Sequence, residues 1–210
     1  MCIRDRSVAL CSLNWADIFQ AYCGHFDGAE KIYAEILNAY AQAYVFLRAT
    51  PAMPMSNLTN TCSVAPLALE GDKRSGLLCE LSGCSNKTRF VLVALGGIGM
   101  CYPLDAWPVI EGVCWIFPDD VLESFSRPRT DFIAQSYFAL DYIDLLSCSD
   151  VVLTKTGYGT QTEAVVNQIP ALCVSRGDWP EQPYLFDWHQ RHGEVEFIEW
   201  EDIGLSLIHI

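Results

Sequence analysis

The second half of the sequence alternates short apolar runs with stretches of helical periodicity, and this alternation limits the fold more than any other feature. The apolar runs are rich in Val, Ile and Leu and lack polar alternation, which is typical of strands buried on both faces. Strands of that kind separated by helices indicate a parallel sheet covered on both sides. We therefore predict an α/β fold with a doubly wound, Rossmann-like sheet. The predicted strands are 90–95, 113–117, 132–135, 151–155, 171–175 and 195–198, and the predicted helices are 105–111, 119–125, 141–147, 161–167 and 182–192.

Residues before 89 carry a weaker signal. Apolar positions recurring at three and four predict a helix that starts at Asp27, with Asp27 and Glu30 as an N-cap pair, and that stops before Pro51. A short strand is expected at 8–13, and prolines and glycines between 51 and 88 predict a connector with a short helix at 75–81. We interpret 8–66 as the remnant of a second α/β domain, 67–88 as a linker and 89–203 as a truncated main domain.

The two ends of the sequence stand apart from the rest. Residues 1–7 (MCIRDRS) and 204–210 (GLSLIHI) resemble translated sequencing adapters at the ends of assembled reading frames. We expect both to be scars and the natural chain to extend beyond them.

Composition excludes several classes of function. With 13 basic and 26 acidic side chains and a formal net charge of −13, the chain is a poor partner for nucleic acid, which needs clustered Lys and Arg. Its apolar runs are too short for a transmembrane helix. The ten cysteines include no C-x-x-C pair and lie mostly in apolar runs. Free thiols in a reducing compartment explain this placement best, so we expect a cytoplasmic protein.

Three loops follow predicted strands and are candidates for chemistry, because ligands of open parallel sheets bind beyond the carboxyl ends of the strands. The first contains Gly96 and Gly97, where the backbone is free of side chains. The second, 156–160, precedes a predicted helix whose first amides are free to meet an anion. Thr160 and Glu163 also fit a purely structural capping box there. The third, 176–183, is polar, carries two prolines and is suited to bind a polyhydroxy ligand.

Taken together, these segments resemble a known family. Residues 149–164 (SDVVLTKTGYGTQTEA), followed by Ile169-Pro170-Ala171 and Glu181-Gln182-Pro183, resemble the C-terminal domain of GT-B glycosyltransferases related to the peptidoglycan N-acetylglucosaminyltransferase. The Lys-x-Gly-Tyr-Gly-Thr form is also similar to the glycosyltransferase-like domain that precedes some sugar kinases. The resemblance covers 89–203 well and 8–66 more loosely.

The resemblance implies inverting transfer of a sugar from a nucleoside-diphosphate donor, UDP-linked, to an unidentified hydroxyl acceptor, without a metal or other cofactor. Glu163 would bind the ribose hydroxyls, the turn at 157–160 would adjoin the diphosphate, and Glu181 with Gln182 would lie near the sugar. The peptidoglycan enzyme has a small apolar residue where this chain has Tyr158-Gly159, so the donor's identity does not carry over. We name no catalytic base and expect the fragment alone to be inactive. The full set of expected donor-binding residues is Gly96, Gly97, Gly157, Tyr158, Gly159, Thr160, Glu163, Arg176, Glu181 and Gln182.

Three alternatives stay open at the level of sequence. A dinucleotide-dependent oxidoreductase would use Gly97-x-Gly99 with Asp119, although Tyr102 occupies the third glycine position and Pro103 follows it. A nucleotide-sugar epimerase, or a binding module fused to a kinase, would keep the fold without the transfer. A metal site at His189 and His192, with Asp187, lacks an evident further ligand.

Overall fold

The computed structural model describes residues 7–96, 104–125, 127 and 129–199. The chain divides into two compact units, the first formed by Met1–Leu67 with Asp178–Trp188 and the second by Ala68–Gly177 with His189–Ile210. Apart from Ser7, the adapter-like ends lie outside the described residues. The predicted domain boundaries at 66, 88 and 203 stay predictions.

The first unit contains a three-stranded parallel sheet. Its strands β1 (Val8–Cys11), β2 (Val45–Ala49) and β3 (Thr61–Val64) lie in the order β1-β2-β3. Helices α1 (Trp15–Cys23) and α2 (Ala29–Ala41) connect β1 to β2, as a parallel pair requires. The buried core of this unit consists of Leu13, Ile18, Phe46, Met53, Met55 and Leu58.

The long helix predicted from Asp27 to Pro51 is wrong at both ends. Helix α2 begins at Ala29 after a left-handed Gly28, so Asp27 is not the N-cap residue. It ends at Ala41, and β2 occupies the rest of the predicted helix. Leu47 satisfied the helical spacing, but the neighbouring Val45 and Phe46 are β-branched and aromatic residues, which favour a strand when a sheet can bury them, and Phe46 is fully buried.

Two further elements of the first unit, α1 and β3, do not follow from the sequence pattern. Helix α1 begins after Asn14, whose side-chain Oδ1 accepts a 2.8 Å hydrogen bond from the Asp17 amide. Strand β3 lies inside the stretch interpreted as a connector, where its polar sequence TCSV gives no apolar signal.

The second unit contains a six-stranded parallel sheet in the order β6-β5-β4-β7-β8-β9. Counted within this unit, that order is 3-2-1-4-5-6, the arrangement of doubly wound nucleotide-binding folds. The predicted fold class is therefore confirmed. The strands are β4 (Arg89–Ala94), β5 (Val113–Phe117), β6 (Phe132–Ala134), β7 (Val151–Lys155), β8 (Ala171–Val174) and β9 (Val195–Ile198).

Both faces of this sheet are buried, as its apolar strands predict. Val91 and Val93 point into one core cluster, whereas Phe90 and Leu92 point into the other. This alternation follows from the two-residue period of a strand. The covering helices are α3 (Leu77–Ser82), α4 (Asp119–Glu123), α5 (Tyr142–Cys148), α6 (Tyr158–Val166) and the end of α7 (Gln182–His192), which starts in the first unit.

One predicted helix of the second unit is absent. Residues 105–111 form only a 3-10 turn at Leu104–Ala106. Pro108 disfavours helical geometry at the residue before it, and the left-handed Gly112 then leads into β5. None of the helices in the described ranges has both the length and the apolar character needed to cross a bilayer.

Part of the predicted linker is bound tightly into the second unit. The side chain of Asn167 donates to the Leu69 carbonyl at 2.9 Å and accepts from the Gly71 amide at 2.8 Å. A Cβ at residue 71 would overlap the carbonyl oxygen of Ile143. Glycine is therefore required at this position by close packing. The short helix expected at 75–81 is present as α3.

Candidate functional site

The strand order of the second unit reverses direction between β4 and β7, and this reversal identifies one end of these strands as a candidate site. From β4 the chain winds outward through β5 and β6, and it then returns to β7 on the opposite side of β4. In open α/β sheets, ligands bind at this reversal, beyond the carboxyl ends of the two strands. Gly96 follows β4 and Lys155 ends β7 at this point, next to the paired residues Ala94 and Thr154. The predicted Gly97, with the remainder of 97–103, lies outside the described residues.

Lys155 brings a positive charge to this edge. Its ammonium Nζ lies 3.0 Å from the position that a Cβ would take at Gly96, which has a left-handed φ of 78°. Partial burial lowers the pKa of Lys155, and the nearby charge of Arg176 lowers it further. Within the described ranges no carboxylate forms an ion pair with Lys155. Two neighbouring cations, one of them lacking a counter-charge, favour an anionic ligand in a chain of net charge −13.

Helix α6 starts three residues earlier than predicted, at Tyr158, with Gly157 as the N-cap residue. Thr160 therefore lies in the first turn and Glu163 in the second, so the two do not form the expected capping box. The Gly157 amide instead donates to the side-chain Oε1 of Gln161 at 2.9 Å. This amide is consequently occupied, and a ligand at the helix start would contact the backbone of the residues that follow Gly157.

Gly159 has no evident structural reason to be glycine. It is exposed in the first turn of α6, and a Cβ added there would meet no heavy atom within 4 Å. Alanine is favoured over glycine in helices by about 1 kcal/mol. The bare backbone at this position leaves open space beside the helix start.

Glu163 lies on the same helix, four residues after Gly159. It is half-buried, and desolvation raises its pKa. No hydrogen-bond donor to this carboxylate is found among the described residues. Tyr142 lies nearby, with its hydroxyl 3.4 Å from Thr160 Oγ1; burial raises the pKa of this tyrosine, and the charge of Glu163 raises it further. A desolvated carboxylate without donors is suited to accept hydrogen bonds from a ligand hydroxyl.

The third predicted loop is divided between the units. Arg176 is exposed directly after β8 in the second unit, whereas Glu181 and Gln182 belong to the first. Glu181 is buried there, and its two oxygens accept from Ser12 Oγ at 2.6 Å and from Trp179 Nε1 at 3.3 Å. Gln182 is the first residue of α7. Within the first unit, the Glu181 carboxylate therefore anchors the segment that carries it.

A cavity of about 430 Å³ lies at the opposite edge of the second unit's sheet, at the amino ends of the strands. Lys73, Arg74 and Arg89 lie around it. The Asp150 carboxylate in its wall is already bound by Arg89 at 2.8 Å and by the Phe90 amide at 2.8 Å. The Asp150 carboxylate is therefore already bound by groups of the protein, and we assign no ligand to this cavity.

Two of the alternatives from sequence, the metal site and the dinucleotide-dependent oxidoreductase, receive no geometric support. No group of three or more His, Cys, Asp or Glu side chains within the described ranges is arranged to hold a metal. His189 is buried and directs Nδ1 to Gln161 rather than to His192. The Asp119 carboxylate, which would bind ribose in a dinucleotide enzyme, is occupied by the amide and hydroxyl of Ser136.

Three residues of this region were missed as site candidates. The sequence pattern places Lys155 only within the GT-B-like motif, and the signal that identifies it is a lysine at the end of an otherwise buried strand. Tyr142 and Gln161 carry no sequence signal, because their positions depend on how α5 and α6 pack.

The strand order of the second unit, with its reversal between β4 and β7, is that of a Rossmann-like domain. Among solved structures, the chain is similar to the glycotransferase of kitacinnamycin, with a TM-score of 0.54 and 11% identity over 88% of this chain and 52% of that one. It is also similar to the glycosyltransferase SnogD from Streptomyces nogalater, with a TM-score of 0.47 and 13% identity over 86% of this chain and 56% of that one.

Only the first of these similarities is high enough to support a shared fold. It confirms a glycosyltransferase-like fold, and the chain spans about half the length of both structures. No family model matches the chain, and no curated protein matches it. The relation to the peptidoglycan enzyme and to sugar kinases stays a prediction.

Proposed function

We propose that the second unit binds the nucleoside-diphosphate part of a sugar donor, and that the chain is part of a glycosyltransferase acting on a hydroxyl acceptor. The observation that carries this proposal is the half-buried Lys155 ammonium, which lacks a carboxylate partner within the described ranges and lies at the strand reversal. A diphosphate supplies the negative charge that this position lacks. Arg176, after the neighbouring strand, adds a second cation.

The start of α6 supports the same assignment. The positive end of a helix dipole favours a phosphate, and the bare backbone at Gly159 leaves room for one. The Glu163 carboxylate, one turn further along, is suited to accept hydrogen bonds from the two ribose hydroxyls. The glycines and Glu163 keep the roles that the family resemblance implies.

The chemistry follows from these charges. In the proposed inverting reaction, an acceptor oxygen attacks the anomeric carbon while the bond from that carbon to the diphosphate breaks. The diphosphate leaves with the electron pair, and Lys155 together with the α6 dipole stabilises the charge that develops on it. The acceptor's proton must go to a base. None of the residues assigned here has that role, so the fragment alone is proposed to be inactive.

Isothermal titration calorimetry tests the binding step directly. We expect UDP to bind to the chain and uridine, which lacks the diphosphate, to bind at least about tenfold more weakly, or 1.4 kcal/mol. GDP and TDP titrations determine the preferred base. Equal affinity for UDP and uridine, or binding of NAD but of no nucleoside diphosphate, would contradict the proposal.

A further inference from the structure

Gln161 and His189 form a buried polar pair within the second unit. Gln161 lies on α6 and His189 near the end of α7, and both are 0% exposed. The Gln161 Nε2 atom is 3.2 Å from His189 Nδ1, and Gln161 Oε1 accepts the Gly157 amide at 2.9 Å. A continuous chain of hydrogen bonds thus runs from the N-cap residue of α6 to a side chain on another helix.

This chain of bonds fixes the state of every member. The Gly157 amide can only donate, so the amide oxygen of Gln161 must face it and the Gln161 NH2 group must face His189. His189 Nδ1 then accepts, which places the ring proton on Nε2. Burial lowers the pKa of His189 to about 4, in agreement with a neutral ring.

Stability alone does not explain the Gln161–His189 pair, because the pair carries an energetic cost. His189 Nε2 is buried and has no hydrogen-bond partner in the described part of the chain. An unsatisfied buried donor typically costs about 1–3 kcal/mol. An apolar side chain at residue 189 would avoid this cost, so core packing alone does not explain the imidazole, and its Nδ1 acceptor has a use beyond packing.

We propose that Gln161 and His189 are positioning residues for the nucleotide site, because together they fix the Gly157 amide and with it the turn from Lys155 to Gly159. This inference rests on the proposed function for the identity of the ligand. Glycine at the N-cap position has no side chain to hold the turn, so Gln161 replaces the missing cap from inside the helix. His189 prevents the Gln161 amide from rotating away.

Three variants separate the contributions. His189→Leu removes the acceptor from Gln161, and Gln161→Leu removes the whole connection. His189→Asn keeps an acceptor oxygen close to the position of Nδ1. Leu78→Ala is the matched control, since it removes a buried side chain of the same unit from the core below the opposite edge of the sheet.

The measurements are made on the full chain by NMR and calorimetry. Ring ¹⁵N shifts of His189 report its tautomer, hydrogen exchange reports the protection of the Gly157 amide, and titration with UDP gives the affinity. We expect the Nε2-protonated tautomer in the wild type. In His189→Leu and Gln161→Leu we expect Gly157 to exchange at least about tenfold faster and UDP to bind about tenfold more weakly. His189→Asn should keep much of the protection of the Gly157 amide and much of the UDP affinity. Leu78→Ala should leave the UDP affinity unchanged, and also the exchange rate of Gly157 relative to that of its neighbours.

The outcomes distinguish this inference from the proposed function. Unchanged Gly157 exchange in a folded His189→Leu protein would overturn the inference whatever the affinity. Faster exchange of the Gly157 amide with unchanged UDP affinity would show that the pair has only a structural role, and this result would also overturn the inference. If the wild type binds no nucleoside diphosphate, the proposed function fails, and the positioning role for a nucleotide fails with it. Gly157 exchange would then still show whether the pair fixes the turn.

Discussion

The ammonium group of Lys155 lies beside the backbone of Gly96, where the end of β7 meets the end of β4. A side chain at residue 96 would meet this ammonium at 3.0 Å and would also have to adopt a left-handed φ of 78°. The glycine therefore gives Lys155 its place at the strand reversal. A positively charged group at the strand reversal is the clearest chemical feature of this unit.

Replacing Lys155 should weaken diphosphate binding specifically. We expect Lys155→Met to reduce the affinity for UDP by about 1.5–3 kcal/mol, because a charge-assisted hydrogen bond to phosphate is lost. Affinity for uridine should not change. Lys73→Met is the matched control, since Lys73 is an exposed cation at the opposite edge of the same sheet. Calorimetry showing equal losses in both variants would mean that only net charge matters.

The Glu163 carboxylate is expected to lower the stability of the folded protein, although it should favour ligand binding. Desolvation raises its pKa, so the charged form opposes folding at neutral pH, and this cost disappears as the pH falls below the raised value. Glu163→Gln should therefore be more stable than the wild type to urea at pH 7, with a smaller gain in acid.

The same carboxylate should contribute to ligand affinity. Glu163→Ala is expected to weaken UDP binding by about 1–3 kcal/mol if the carboxylate accepts the two ribose hydroxyls. Calorimetry with 2′-deoxy-UDP provides the control, since the variant and the wild type should differ less for this ligand. Equal affinity of both proteins for UDP would refute the role.

Gly159→Ala separates folding from ligand binding at the helix start. A Cβ there meets open space, so we expect the free energy of unfolding to be unchanged or to rise by up to about 1 kcal/mol. The same methyl group would occupy the space proposed for phosphate, and UDP affinity should fall by about tenfold or more. A stabilised variant with normal UDP affinity would place the phosphate elsewhere.

His189 should make the second unit sensitive to acid. Its pKa of about 4 in the folded protein lies below its ordinary value of 6.5, so the unfolded chain binds the proton first as the pH falls. The contribution of His189 to stability is present above pH 6.5 and is lost towards pH 4, by about 3 kcal/mol in all.

Denaturation across this range checks the prediction. The wild type and His189→Asn should converge in stability, or reverse in order, as the pH is lowered from about 6.5 to about 4, because the asparagine does not titrate. A constant difference between them would show that the imidazole titrates normally.

The sequence was most informative where burial dominates. Strands β5 and β7 have the predicted bounds because their apolar residues are buried in the interior of the sheet, and the edge strand β9 has the predicted bounds although Glu196 is exposed. The sequence was least informative where helical periodicity and strand propensity compete. At residues 45–49 the apolar spacing continues that of the preceding helix, but the side chains favour a strand. Tertiary contacts decide such cases.

The candidate site shows the same division. Its glycines and Glu163 follow from a motif, but the Lys155–Gly96 contact depends on which strands become neighbours. The start of α6 was placed too late because Gln161, not Thr160, supplies the side-chain bond to the helix start. A bond made backwards from inside the helix leaves no signature in the usual capping patterns.

The connection between Gln161 and His189 ties two positions that lie 28 residues apart in the chain. Natural variation at one of them is then constrained by the other. A homologue that replaces the histidine with a side chain lacking an acceptor should also have changed its glutamine, or should have exchanged the glycine at the helix start for a residue that caps it directly.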